Sequence, residues 1–436
     1  MNDRNPLFTI TSLAIIAFSI VSSVRGQQYF FTTLAGQSGS YGDADGTNAS
    51  ARFSAPTGIV VGPSGDIFIS DQGNNMIRKC TPGGIVTTLA GAPGGPSEQQ
   101  DGTGGEARFR FPIGIAIDGN GDLVVADQTT VRRVTTNGVV TTIAGKPWWL
   151  SFGPSSDGVG TNATFQGSIV GLAIATNGNI YVADAGDNTI RVIAPDLTVT
   201  TIAGSHGQTG SVDGTNSTAR FFGPSFLALD GIGNLFVGDS GNETVRQVTT
   251  QGVVTTVAGS AGFHTNTVDG VGTNAQFISP GGIVFDGNGN TIITDYATIR
   301  TITPQGAVTT IAGFPDTLGS ADGLGGIARF SWPAGIAFDA VGNLMVVDSG
   351  NRTIRKGVLI QPCHIQNVVM TGGVATLYFT AATNSTYAVE SVGSLAVDSN
   401  WNLLGTLTVT NIPESFTDFT AGSASERYYR LRQILP

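Results

Sequence analysis

Residues Asp45–Gly91 read DGTNASARFSAPTGIVVGPSGDIFISDQGNNMIRKCTPGGIVTTLAG. Four short β-type runs lie within this stretch, Gly58–Val61, Ile67–Ser70, Met76–Cys80 and Ile85–Leu89, and clusters of Gly, Pro and Asn separate them. Strands joined by tight turns have this appearance. The Asp-Gly pair that opens the stretch returns at Asp101, Asp157, Asp213, Asp269 and Asp322, in steps of 56, 56, 56, 56 and 53 residues. Eight residues after each Asp stands a Phe (Phe53, Phe109, Phe165, Phe221, Phe277, Phe330), and in every copy but the third a Pro precedes the first strand. A fixed period of this size marks a repeat architecture, because one small sheet cannot bury both of its faces alone. Radial closure protects the sheet edges. The sequence therefore predicts an all-β fold, a six-bladed β-propeller of four-stranded blades, with the remaining chain left for a small β-sandwich.

The termini support closure. The sixth copy stops after its third strand, Thr353–Leu359, with no Val-Thr-Thr-Ile-Ala-Gly run behind it. That run stands at the other end, where Tyr29–Gly36 (YFFTTLAG) matches the VTTLAG that ends at Gly91 and the VTTIAG that ends at Gly145. Residues 29–36 are expected to supply the missing outer strand of the last blade and cover its edge.

The runs FPIGIAID, IYVAD ending at Asp184, NTIR at Asn188–Arg191 and the VTTIAG endings together resemble NHL-repeat proteins. That resemblance covers residues 29–358 and implies a six-bladed propeller. It says less about function, because such propellers include binding modules, extracellular sensors and some metal-dependent lyases and lactonase-like enzymes.

Before the propeller, Leu7–Val24 is a largely apolar run ending at Val24-Arg25-Gly26, the layout of a secretory signal peptide over residues 1–26. An uncleaved anchor is the alternative. The propeller is assigned to residues 27–359, a linker to 360–363 and the sandwich to 364–436. The tail runs TYAVESVGSL, SNWNLLG, FTDFTAG and RYYRLR resemble fibronectin-III-like C-terminal domains of exported bacterial proteins, which implies attachment or spacing. Charged residues make up 12% of the chain and the formal charge is -10. An acidic chain with few cations does not suit nucleic acid. An extracellular, periplasmic or cell-surface location and a monomer are expected.

Two charges recur in every copy. Asp71, Asp127, Asp184, Asp239, Asp295 and Asp348 close the second strand, and Arg78, Arg132, Arg191, Arg246, Arg300 and Arg355 lie in the third. A feature present in every blade is most economically a brace of the blade, Asp pairing with Arg or accepting turn N–H groups. A calcium site at Asp43 and Asp45 would need six to eight oxygens, and no loop supplies a dense carboxylate set, so no metal is assigned.

Strand alternation places the long connections between repeats on one face of the disc. Their unusual side chains are Tyr41, Trp148, Trp149, Phe152, His206, Phe263 and His264. The adjacent Trp148 and Trp149 offer rigid apolar faces to a sugar or peptide; packing between neighbouring loops is the alternative. No catalytic residue or cofactor is assigned, because no nucleophile elbow, phosphate loop or His-Glu-x-x-His pattern occurs. The expectation is an exported, non-enzymatic binding or scaffold protein for a glycan or protein; a metal-dependent lactonase-like hydrolase or lyase is the alternative. Cys80 and Cys363 end up near the ring's seam in this register, so a disulfide between them is also an expectation.

Overall fold

The computed structural model describes residues 28–360 except 95–97 and 152, and beyond that span residues 8–11, 14–17, 364–371, 374–380, 386–392, 402–408, 414–418 and 428–433. Two compact units divide the chain, one of residues 29–358 and one that combines 1–28 with 359–436.

The larger unit is a six-bladed propeller. In the first blade the strands are Pro56–Val61, Ile67–Asp71, Met76–Cys80 and Ile85–Gly91, each antiparallel to the next. The expectation of four strands is corrected to five. Gly46–Thr47 adds a two-residue strand outside Ile85–Gly91, and each of the other blades has its counterpart. The segment entering a blade from its neighbour thus runs along the outer edge before it turns inward.

Blade six is completed from the N-terminus. Gln28–Gly36 lies between Thr353–Ile360 and Gly323–Leu324. It is therefore the fourth strand and not the outermost one, since Phe31 pairs with Gly323 and Phe30 with Leu324. The edge is covered twice.

Hydrophobic cores lie between neighbouring blades. At the seam, Phe53, Ile59, Ile69 and Val86 of blade one pack with Met345, Val347 and Ile354 of blade six. Burying each such side chain stabilises the fold by roughly 1.5–3 kcal/mol. Cys80 lies in this same cluster as a free, fully buried thiol, pushed up to about 12 by burial and then by the charge of Asp66. Its proposed partner Cys363 lies outside the described residues. Around the axis the inner strands approach closely: a Cβ on Gly58 would lie 2.2 Å from the Ile113 carbonyl oxygen of blade two. Only glycine fits there.

The smaller unit holds a three-stranded sheet of His364–Thr371, Val374–Thr380 and Glu414–Asp418, and a five-stranded sheet that includes Thr386–Val392, Asn402–Thr408 and Tyr428–Gln433. Val368, Leu377, Phe379, Tyr387, Val389 and Tyr429 share one core, and the Tyr429 hydroxyl donates to Asp418 at 2.8 Å. Phe8–Thr11 and Ala14–Ala17, inside the segment read as a signal peptide, pair as a hairpin on the edge of the five-stranded sheet. No helix among the described residues is long and apolar enough to cross a membrane.

Candidate functional site

The recurring charges form one device in each blade. In blade one, Arg78 Nη1 donates to Asp71 Oδ2 at 2.8 Å and to the Arg52 carbonyl at 3.0 Å. Its Nη2 donates to Asp45 Oδ1 at 2.8 Å and to the Ala44 carbonyl at 3.1 Å. The guanidinium also sits over the Phe53 ring, 5.3 Å from its centroid. The other five arginines repeat the carboxylate pair and the ring. The motif Asp and Phe, which the sequence shows only as punctuation, are therefore parts of the brace, and Asp45 is engaged by Arg78 and by Thr88. All six arginines are fully buried. Buried this deeply, the second-strand carboxyls of Asp71, Asp127, Asp239 and Asp348 are pushed up to about 6 despite their arginine partners.

Pro56 pairs with Asp71 and Met76 with Gly91, so the connections between blades and the loops after the second strands share one face. Six of the seven side chains singled out in the sequence spread around it. Trp148 and Trp149 meet edge to face at 6.3 Å, and Arg110 stacks over Trp148 at 4.2 Å. Tyr41 is exposed, with the Arg352 guanidinium 6.0 Å from its ring centroid. Phe152 lies outside the described residues. His206 Nδ1 is bonded to the buried Asp187 at the edge of a groove of about 510 Å³ that Ser205, Asn216, Ser217 and Thr250 also line. Phe263 is exposed, and His264 contacts Glu243 and Ser260.

Further aromatic residues on this face escape notice in the sequence. Trp332 and Phe111 are 49% and 44% exposed and occupy the left-handed backbone region, at φ 50° and 52°. Each directly precedes the Pro that starts an inner strand, Pro333 or Pro112. Trp332 N donates to the Tyr296 carbonyl at 2.9 Å, and the two rings meet edge to face at 4.8 Å. Bulky residues avoid this backbone region because their Cβ crowds the following carbonyl. Blade one has the small Ala55 at the same place, φ 47°. The one sequence signal was an aromatic residue directly before Pro.

The axis offers a different chemistry. A cavity of about 90 Å³ lies there, lined by Gly58, Gly114, Gly282, Gly335, Phe226 and flanking Ile and Leu residues. Phe226 takes the inner-strand position that is glycine in the other blades, and none of these side chains binds a metal. Among the described residues no three His, Cys, Asp or Glu are grouped as metal ligands.

Fold and repeat define the class, a six-bladed all-β propeller with an arginine brace in every blade. No protein-family model matches the sequence. The chain is 29% identical to teneurin-3 of Danio rerio over 230 residues, 47% of this chain and 8% of that protein. It is 27% identical to human NHL repeat-containing protein 2 over 328 residues, 66% of this chain and 44% of that protein. It thus spans less than half the length of either relative. Among solved structures, a protein of unknown function from Bacteroides thetaiotaomicron superposes with a TM-score of 0.61 at 20% identity, over 81% of this chain and 90% of that one. An auxiliary nutrient binding protein from Bacteroides ovatus superposes with a TM-score of 0.57 at 18% identity, over 77% of each chain. These likenesses are of fold.

Proposed function

We propose that this protein is an exported binding propeller that takes a glycan on its loop-rich face, over blade one. The observation that carries the reading is the strained display of two aromatic rings. Trp332 of blade six and Phe111 of blade two hold left-handed backbone conformations that cost bulky residues about 1–2 kcal/mol each. The left-handed turn belongs to the repeat, as Ala55 and Gly223 show; placing bulky, half-exposed rings in it, where small residues carry less strain, points to use. Blades six and two flank blade one, whose Ala55 leaves room between the rings. Tyr41, Arg110 and Trp148 continue the same arc. Flat, rigid rings interspersed with hydrogen-bonding groups suit a sugar, which presents apolar C–H faces and hydroxyl edges. Export rests on the layout of residues 1–26, and the use of this fold by proteins named for nutrient binding supports a binding role.

A glycan array probed in parallel with a peptide array tests this. Binding to glycans that Trp332→Ala and Phe111→Ala both abolish is the expected result. Binding confined to peptides, or glycan binding indifferent to both changes, overturns it.

A further inference from the structure

On the opposite side of the same face, Glu243 departs from the repeat. Blades one and three place Asn75 and Asn188 at the equivalent position and blade six Arg352, and all four residues are left-handed, at φ 57° for Glu243 and 56°, 57° and 58° for the others. Asn tolerates that conformation far better than Glu. The Asn side chains fasten the next blade: Phe111 N donates to Asn75 Oδ1 and Gly223 N to Asn188 Oδ1, both at 2.9 Å. Glu243 gives up that role. Its Oε2 accepts the backbone N–H of His264 at 2.7 Å and the ring Nδ1 at 2.5 Å. An ionised carboxylate only accepts, so the proton is assigned to Nδ1 and Nε2 is left as the acceptor. Ser260 Oγ lies 3.0 Å from Nε2 and donates to it.

Hydroxyl, imidazole and carboxylate thus stand in the order and at the distances that activate a serine for acyl transfer. We infer that Ser260, His264 and Glu243 form a serine hydrolase centre for short-chain carboxylic esters. It is independent of the aromatic arc, and neither proposal needs the other. Ser260 Oγ attacks the ester carbonyl carbon while its proton passes to His264 Nε2. The bond to the leaving alkoxide then breaks, and the alkoxide takes that proton, leaving an acyl group on Ser260. Water attacks the acyl carbon and gives a proton to Nε2; the acid departs and the proton returns to Ser260. The sum is ester plus water to acid plus alcohol. Glu243 is a positioning residue that fixes the tautomer and offsets the imidazolium charge. The amides of Ala261 and Gly262 have no acceptor among the described residues and follow the serine directly, as donors for the developing oxyanion. The substrate class follows from exposure. Phe263 beside the centre is 89% exposed, and Ala261 and Gly262 next to it are exposed too, so an acetyl-sized acyl group is favoured over a long chain that would need burial.

The full chain is treated with a fluorophosphonate and mapped by mass spectrometry, and hydrolysis of p-nitrophenyl acetate and dodecanoate is followed. One adduct on Ser260 is expected, absent from Ser260→Ala and His264→Gln, with the acetate preferred. Glu243→Asn installs the residue of blades one and three; it is expected to keep the melting temperature while kcat falls at least about 100-fold and KM changes little. A folded wild-type protein without an adduct on Ser260, or acetate hydrolysis that persists in Ser260→Ala, overturns the assignment.

Discussion

Phe31 occupies the space that Gly357 leaves. A Cβ on Gly357 would lie 2.5 Å from Phe31 Cε1, and Phe31 is fully buried, edge to face with Phe330 at 5.1 Å. In the other blades the position of Phe31 holds Val86, Val140, Val199, Val254 or Val308, and the position of Gly357 holds Cys80, Val134, Ile193, Val248 or Ile302. The closing strand is thus matched to its own blade by an exchange of volume. Gly357→Val is expected to destabilise the protein by about 1–3 kcal/mol through overpacking. Adding Phe31→Val, which restores the pairing of the other blades, recovers most of that loss. Denaturant unfolding of the two single variants and the double variant measures the coupling; additive effects would refute the match.

The two carboxylates of each brace differ in burial and are expected to contribute unequally. Arg246→Met leaves Asp239 fully buried, with the Asn242 side chain and the Phe222 amide as its remaining partners. A loss of about 3–5 kcal/mol is expected, because one member of a buried ion pair is stranded. Asp213, paired with the other guanidinium nitrogen, is half exposed. Asp213→Asn is expected to cost about 1 kcal/mol or less, since water screens the pair. Urea unfolding of both variants decides it, and equal losses would show that the model of one dominant carboxylate is mistaken.

How much of this was legible in the sequence depends on repetition. Six copies of Asp, Phe, Asp and Arg expose the period and mark the brace positions, yet spacing alone leaves the motif Asp and Phe unconnected to the arginine. The fifth strand is two residues long, Gly46–Thr47, too short to show an alternating pattern. In the candidate sites, Trp148 and His264 stand out as rare residue types. Their partners Arg110, Glu243 and Ser260 are common types, and Glu243 and His264 are 21 residues apart, so only folding brings them together. The available signal was a departure, Glu where blades one and three have Asn, at a position where blade six also departs, with Arg352.

Phe111→Gly separates display from packing. Glycine adopts φ 52° without the Cβ penalty, and the amide that donates to Asn75 is kept. Stability is expected to be unchanged or higher, by at most about 1–2 kcal/mol of relieved strain, offset in part by the added flexibility of the unfolded chain. Glycan binding falls in the same variant. A marked drop in melting temperature would make Phe111 a packing residue.

The last prediction concerns pH and Asp184. Its carboxyl is pushed up to about 7, above those of Asp71 and Asp239, by burial first; Arg191 opposes the shift and the neighbouring charge of Asp187 adds to it. In the unfolded chain the same group titrates near 3.9, as model peptides do. Between these values the folded protein holds a proton that the unfolded chain has released. The contribution to stability is therefore fully present below about pH 3.9 and is lost as pH rises through about 7. Asp184→Asn fixes the side chain in a neutral form and removes this dependence, while Arg191 keeps Asp157 at 2.8 Å. The stability of wild type minus that of the variant is expected to be larger at pH 5 than at pH 8 and to shrink steadily between them. Thermal melts of both proteins across that range measure it, and a difference that grows with pH would mean that Asp184 stays ionised in the fold.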